Sequence, residues 1–298
     1  MHHSPSKPRF ITAIATAFAL IAFAANSVFC RMALGGGAID APSFTIIRLA
    51  SGALVLWVWV GVSSKKEAKV RLRSFWGPVF LFVYALGFSV AYLTLDTATG
   101  ALILFGSVQL TMILFAQFSG DRLHWAEWMG VVLAFAGFVY LVLPNLGEPS
   151  AVGFGLMTLA GIGWGSYSLL GRGSKNPLSE TCSNFIHTWP FLLLVLILTF
   201  YDAQLSPRGI VLAILSGTLA SGAGYSVWYL ALGGLSATQA AVAQLLVPII
   251  AGFGGVVFIG ESITQRLVGS AALILGGIGM VFLGRRQASK LPPTGLDA

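Results

Sequence analysis

The chain has 298 residues, a mean hydropathy of +0.86 and 56% apolar residues, with 17 Lys and Arg against 10 Asp and Glu. Only 9% of its residues are charged, against roughly 25% in soluble domains, so polar side chains are too few to clothe a water-facing exterior. This composition argues against a soluble enzyme, a disordered chain and a nucleic-acid-binding module, and two cysteines offer no disulfide framework.

A helix that crosses about 30 Å of hydrocarbon needs on the order of 20 apolar residues. Stretches of that kind run over residues 10–30, 43–62, 75–95, 97–120, 128–146, 152–171, 183–201 and 267–284, and only the second carries a charge, Arg48. Residues 209–260 hold no formal charge over 52 positions, enough for two crossings divided at Gly233-Gly234-Leu235-Ser236. The expected fold is therefore all-α and membrane-integral, with ten transmembrane helices. The first stretch is long enough to remain as a helix, unlike a cleaved signal peptide. Ten crossings place both termini on one side. With the N-terminus inside, the inner segments hold 13 Lys and Arg and the outer loops 3 (Arg31, Arg208 and Arg266). This bias predicts cytoplasmic termini in a cell inner membrane. It also accounts for the basic charge as an orientation signal and a contact for lipid headgroups, not for nucleic acid.

The chain repeats itself at a shift of about 140 residues: Gly120-Asp121 followed by Gly130 and Gly137 recurs as Gly260-Glu261 followed by Ser270 and Gly277. Phe44 with Arg31 before it likewise matches Phe185 with Arg172 before it. The expected units are residues 1–146 and 147–286, followed by a short cytoplasmic tail over 287–298. Five helices per unit is an odd number, so the halves insert in opposite orientations. Such a five-plus-five inverted repeat is characteristic of secondary transporters with a site between the halves near the midplane.

The first half reads Asn26-Ser27-Val28-Phe29-Cys30-Arg31, then Pro42-Ser43-Phe44 and Arg48. The second reads Trp164-Gly165-Ser166-Tyr167, then Arg172, Pro177 and Phe185, and ends with Pro248 and Gly260-Glu261. These elements resemble the EamA-type repeats of the drug/metabolite transporter (DMT) superfamily. The first half departs from the pattern, with Val108 in place of the late proline and Asp121 in place of glutamate. Within the superfamily the chain is similar to the ten-helix amino-acid exporters of the YddG group. The resemblance implies export of amino acids or related metabolites by alternating access, without a cofactor and without catalysis. Ten helices with an internal two-fold relation can complete a path within one chain, so a functional monomer is expected.

Arg48 is the one charge inside a span, and such a residue costs at least 2.5–3.5 kcal/mol on insertion scales unless it has a partner or a task. It would hold a substrate carboxylate, or else anchor a helix end or snorkel outward. His187, in the seventh span, would donate a hydrogen bond or sense protons, or simply be satisfied between helices. The amides of Asn26, Gln109 and Gln244 suit a zwitterion and equally suit bonds between helices. Tyr84, Tyr92, Trp164 and Tyr225, with Phe88, Tyr167 and Trp228, would line a cavity or pack between helices. The substrate-site candidates are thus Asn26, Arg48, Tyr84, Tyr92, Trp164, His187, Tyr225 and Gln244. No metal site is expected. Nor does any Asp or Glu lie in the centre of a span, so movement down the substrate's own gradient is expected in place of proton coupling through an embedded carboxylate. Efflux of cationic drugs and catalysis on lipid-linked substrates are the alternatives, and each lacks the carboxylates it would need.

Overall fold

The computed structural model describes residues 9–63, 72–118, 125–142, 150–171, 174, 176–235, 240 and 243–288. The basic positions 65, 66, 69, 71, 122, 172 and 175, Asp121 and the tail from 289 lie outside these residues. The helices are α1 (Arg9–Leu34), α2 (Ala41–Ser63), α3 (Trp76–Ala91), α4 (Thr97–Phe118), α5 (Trp125–Val142), α6 (Ala151–Gly171), α7 (Pro177–Ile186), α8 (Trp189–Thr199), α9 (Pro207–Leu215), α10 (Gly224–Leu232), α11 (Val247–Ile259) and α12 (Gln265–Ala288). A π-helical segment, Ser216–Ala223, joins α9 to α10. Helices α7 and α8 form one continuous rod broken only at His187 and Thr188, so the described helices make ten rods. Among the described residues, five stretches are long and apolar enough to cross a bilayer: Phe10–Leu34, Ala41–Val62, Thr97–Phe115, Pro177–Asp202 and Pro207–Leu232.

Local sequence explains two departures from the expected boundaries. The seventh rod begins at Pro177 and not at residue 183, because the Asn176 side chain accepts from the Ser179 N–H and Pro177 fits the first helical turn. The last helix continues through Arg285 and Arg286 to Ala288, where basic residues suit the negative end of the helix dipole.

Successive rods run in alternating directions. Arg31, in the last turn of α1, reaches Asp96 in the α3–α4 connection and Glu261 in the α11–α12 connection. Asp40, before α2, accepts from the Gln204 N–H ahead of α9. These four connections therefore share one end of the bundle, here called the Glu261 end. At the other end Arg73, ahead of α3, pairs with Glu180 in the first turn of α7. Gly234, after α10, lies against Thr12 near the start of α1. Both the first and last described helices have their outer termini at this Glu180 end.

The distribution of side chains is inside out relative to a water-soluble protein. Leu54, Ile197, Leu198, Phe253 and Phe258 are exposed, whereas Asn26, Thr45, Arg48, Ser216, Ser221 and Gln244 are buried. Exposed Trp57, Trp59, Trp76, Trp125 and Trp128 gather at the Glu180 end, the placement of an interfacial aromatic belt. The two halves of the chain interleave: α1 packs on α10 and α11, α2 on the π segment and α7, α3 and α4 on α6, and α5 on α12. Glycines permit the close crossings. Gly130 of α5 abuts Gly277 of α12, Gly137 abuts Leu273 and Ile274, and Gly269 abuts Tyr140, so this pair is antiparallel.

Glu261 fastens three elements at once. Its carboxylate accepts from Arg31 Nε at 3.2 Å and from Thr97 at the start of α4, through the backbone N–H at 2.9 and 3.0 Å and the hydroxyl at 3.1 Å. The Arg31 and Glu261 side chains are only 19% and 11% exposed, whereas Arg73 of the other pair is 56% exposed. A double-mutant cycle of Arg31→Ala with Glu261→Ala is expected to give a coupling of about 1–3 kcal/mol in thermal unfolding in detergent. The same cycle for Arg73 with Glu180 is expected to give about 0–1 kcal/mol.

Candidate functional site

Arg48 enters the bundle from α2, two turns below the Glu261 end, and is completely buried. Its Nη2 donates to the hydroxyls of Tyr84 on α3 and Tyr225 on α10, both at 2.9 Å, and its Nε donates to Ser221 Oγ of the π segment at 3.2 Å. The guanidinium carbon lies 5.1 Å from the Tyr84 ring centre and 5.0 Å from that of Phe88, within cation–π range. Tyr225 donates to Tyr84 at 3.0 Å, and Asn26 Nδ2 of α1 also donates to the Tyr84 hydroxyl at 3.0 Å. Ser216 closes the network by donating to Asn26 Oδ1. Both halves of the chain therefore contribute to one polar network around a single cation.

Every partner of that cation is neutral. Among the described residues, Arg48 has no carboxylate within ion-pair distance, and its Nη1 is buried without a hydrogen-bond partner. A guanidinium keeps its charge at any physiological pH, and an uncompensated buried charge is costly. The arrangement thus holds a standing affinity for an anion, and a carboxylate matches the guanidinium fork.

Aromatic rings enclose the network. Trp164 of α6 stands 4.5 Å from Tyr225 and 5.0 Å from Tyr84, centre to centre, and Phe23 of α1 packs against Trp164 at 5.7 Å and Trp228 at 5.6 Å. The Trp164 Nε1 donor is likewise buried without a partner. A ladder of rings, Trp164 to Tyr167 at 5.5 Å and Tyr167 to Tyr229 at 6.1 Å, leads from this centre toward the Glu180 end.

The structure brings together five of the eight residues expected from sequence: Asn26, Arg48, Tyr84, Trp164 and Tyr225. Snorkelling of Arg48 is ruled out by its burial. Tyr92 stands one layer away, edge-on to Phe88 at 4.8 Å, with its hydroxyl on the Thr97 carbonyl. It belongs to the Glu261-end closure, where its carbonyl accepts from Arg31. His187 sits half-buried at the α7–α8 break, its Nδ1 bonded to the carbonyl of Ser183 one turn back, at 2.7 Å. Buried Gln244 donates to the carbonyl of Ala240, four residues earlier in its own segment. Ser216 and Ser221 escaped sequence reading. They lie five apart, on different faces of an α-helix, and only the i→i+5 winding of the π segment turns both into the network. Because His187 bonds to its own helix and not to the network, His187→Ala is expected to leave transport within about twofold of the parent chain at both pH 6 and pH 8. Radiotracer uptake into vesicles at the two pH values measures this.

Two recesses lie elsewhere. A groove of about 330 Å³ between α4, α11 and α12 is lined by apolar residues including Leu102, Pro248 and Phe253. A smaller polar one at the Glu261 end is lined by Asp96, Thr99, Ser262 and Arg266.

Comparison with known proteins relates the second half of the chain to a family. Residues 151–283 match the EamA-like transporter family. An uncharacterized protein of Pseudomonas aeruginosa is 44% identical over 275 residues, covering 92% of this chain and 95% of that one. The uncharacterized transporter YoaV of Bacillus subtilis is 22% identical over 267 residues (84% and 90% of the two chains). YwfM of the same organism, also an uncharacterized transporter, is 28% identical over 255 residues (78% and 82%). A solved crystal structure superposes with a TM-score of 0.62 over 92% of this chain and 99% of that one, at 18% identity, a likeness of fold alone. With ten helical rods among the described residues, an inside-out burial pattern and relatives named as transporters, the chain is a multi-pass membrane protein whose second half matches the EamA-like transporter family.

Proposed function

We propose that the chain is a secondary transporter exporting amino acids or related carboxylate-bearing metabolites by alternating access, with Arg48 as the carboxylate anchor. The observation that carries this reading is the buried guanidinium held only by neutral groups, with Nη1 unpartnered, where helices of both halves meet. A carboxylate arriving there replaces the tyrosine hydroxyls with charge-assisted bonds roughly twice as strong as neutral ones. Asn26 and the freed hydroxyls of Tyr84 and Tyr225 supply orienting contacts, and Trp164 and Phe23 receive the apolar part of the substrate.

Alternating access draws support from the antiparallel α5–α12 crossing, the crossing that two inverted five-helix units, 1–146 and 147–286, would require of their closing helices. The Glu261 end is the outer face under the positive-inside bias, with both termini cytoplasmic in the inner membrane, and all ten rods cross it. A single chain completes the path, so the unit of transport is the monomer. No cofactor, metal or catalytic step enters this reading. Export of cationic drugs is disfavoured, since a fixed buried cation repels them.

Counterflow in proteoliposomes tests the proposal. Vesicles loaded with unlabelled amino acids and carboxylates should show saturable uptake of at least one labelled member. Absence of flux for every carboxylate-bearing compound, from protein that remains folded, would contradict it.

A further inference from the structure

We infer that the Arg48 site selects net-anionic monocarboxylates over zwitterions, and that the membrane potential itself drives their export. This rests on the reading of Arg48 as a carboxylate anchor and goes beyond it in naming the charge of the substrate.

The first support is the placement of the acidic residues. The chain has ten. Asp40, Asp96 and Glu261 fall in connections between helices, and Glu127 and Glu180 lie in the first turn of α5 and α7, while Glu67, Asp121, Glu148 and Asp297 lie outside the described residues. Asp202 closes the seventh rod in a 3-10 turn. None of the described ones is carried by the middle of a helix, so the described residues bring one fixed charge to the site, and it is positive. A monoanion neutralises it. A zwitterion neutralises it with its carboxylate and then brings an ammonium into the same dry space without a counter-ion.

The second support is the use already made of the groups that would receive an ammonium. The Arg48 guanidinium already occupies the ring faces of Tyr84 and Phe88, and an ammonium against the neighbouring Trp164 or Tyr225 ring would stand beside that same cation. The Asn26 Oδ1 acceptor is taken by Ser216. The unpartnered groups of the network and its enclosing rings, Arg48 Nη1 and Trp164 Nε1, are donors, and the unpartnered acceptor Gln244 Oε1 belongs to a side chain that makes no bond to the network. Donors in excess beside a fixed cation recognise anions. Leaving an ammonium unpaired there weakens a zwitterion about 30-fold or more relative to an anion of the same shape.

The consequence for energetics follows from charge alone. Each completed cycle with a monoanion carries one negative charge across the membrane, however the charge is shared between loaded and empty carrier. A potential of 100 mV, negative inside, then sustains a ratio of roughly 50-fold in favour of the outside. The absence of an embedded carboxylate for proton coupling ceases to be a deficiency, because an anion leaving a negative interior needs no coupling ion. This holds whichever way the chain lies in the bilayer.

The test uses the full chain in proteoliposomes, with protein-free vesicles as the background and two probes of matched side chain: 4-methyl-2-oxopentanoate and leucine. Potentials of either sign are imposed with a potassium gradient and valinomycin. The inference predicts oxo-acid efflux several-fold faster with the interior negative than with it positive, and leucine flux at least tenfold slower and indifferent to potential. Leucine moving as fast as the oxo acid, or oxo-acid flux that ignores the potential, overturns the inference while leaving the carboxylate anchor standing. Failure of both probes and of every other carboxylate overturns the two together. Arg48→Gln should abolish the potential-driven component, and its persistence in that variant would also overturn the assignment.

Discussion

Replacing Arg48 by glutamine is expected to reduce transport at sub-saturating substrate by two to three orders of magnitude while leaving the fold intact. Removing one partner of a buried, hydrogen-bonded charge pair costs about 2–5 kcal/mol of binding, which sets the scale of the loss. The fold should tolerate the change because the guanidinium has no fixed counter-ion among the described residues to leave orphaned. Taking an unpaired charge out of the interior removes a desolvation cost, and the glutamine amide can still reach one of the hydroxyls that Arg48 holds now. Thermal unfolding in detergent should therefore stay level or rise as flux collapses. Arg48→Lys keeps the charge but not the planar fork, so it should retain a measurable fraction of activity with weakened affinity. A structural anchor would behave in the opposite way, with stability and flux falling together in Arg48→Gln.

Gly217→Ala is expected to damage stability and transport at once. An added Cβ at Gly217 would fall on the carbonyl oxygen of Arg48 and the hydroxyl of Ser51, and backbone cannot yield as a side chain tip does. The π segment must then move away from α2, which pulls Ser221 off Arg48 Nε and Tyr225 off Nη2. Overpacking of this kind costs about 1–3 kcal/mol, or several degrees in apparent Tm for a chain of this size. Flux should drop by more than tenfold because the anchor loses two of its holders. Gly155→Ala and Gly276→Ala provide the comparison, since a Cβ at either meets nothing within 4 Å. Equal stability and flux for Gly217→Ala and these two would show that the π segment does not position the site.

Arg48 and its aromatic neighbours were legible in the sequence because a membrane interior makes polarity conspicuous. A lone arginine in a 22-residue apolar stretch (Ala41–Val62) demands a reason on energetic grounds alone. Tyr84 and Tyr225 stood out as rings with a polar handle suited to a cavity, and Asn26 as an amide in an apolar span suited to a zwitterion. Tyr92 and Gln244 met the same compositional criterion, and the structure places them outside the network. Nothing in a linear pattern reports that Tyr92 caps the end of α3 facing Thr97, or that Gln244 folds back on Ala240. The Ser216 and Ser221 contributions were hidden by winding. Their Ser-Gly-Ala-rich stretch reads as a small-residue packing face, and the extra residue per turn that aims them inward has no sequence mark. The Glu261 closure was divided between the last turn of α1 and a connection 230 residues further on, Arg31 to Glu261. Each of its members looked like an ordinary helix-end charge.

The deepest dependence is on one contact: a substrate carboxylate on the guanidinium of Arg48. A structure of the chain determined with the monocarboxylate it moves measures that contact directly. The account predicts a carboxylate oxygen within about 3 Å of Arg48 Nη1, with at least one of the Tyr84 and Tyr225 hydroxyls released from the arginine. A carboxylate seated elsewhere, such as the groove beside Pro248, with Arg48 still held by both tyrosines, would contradict it.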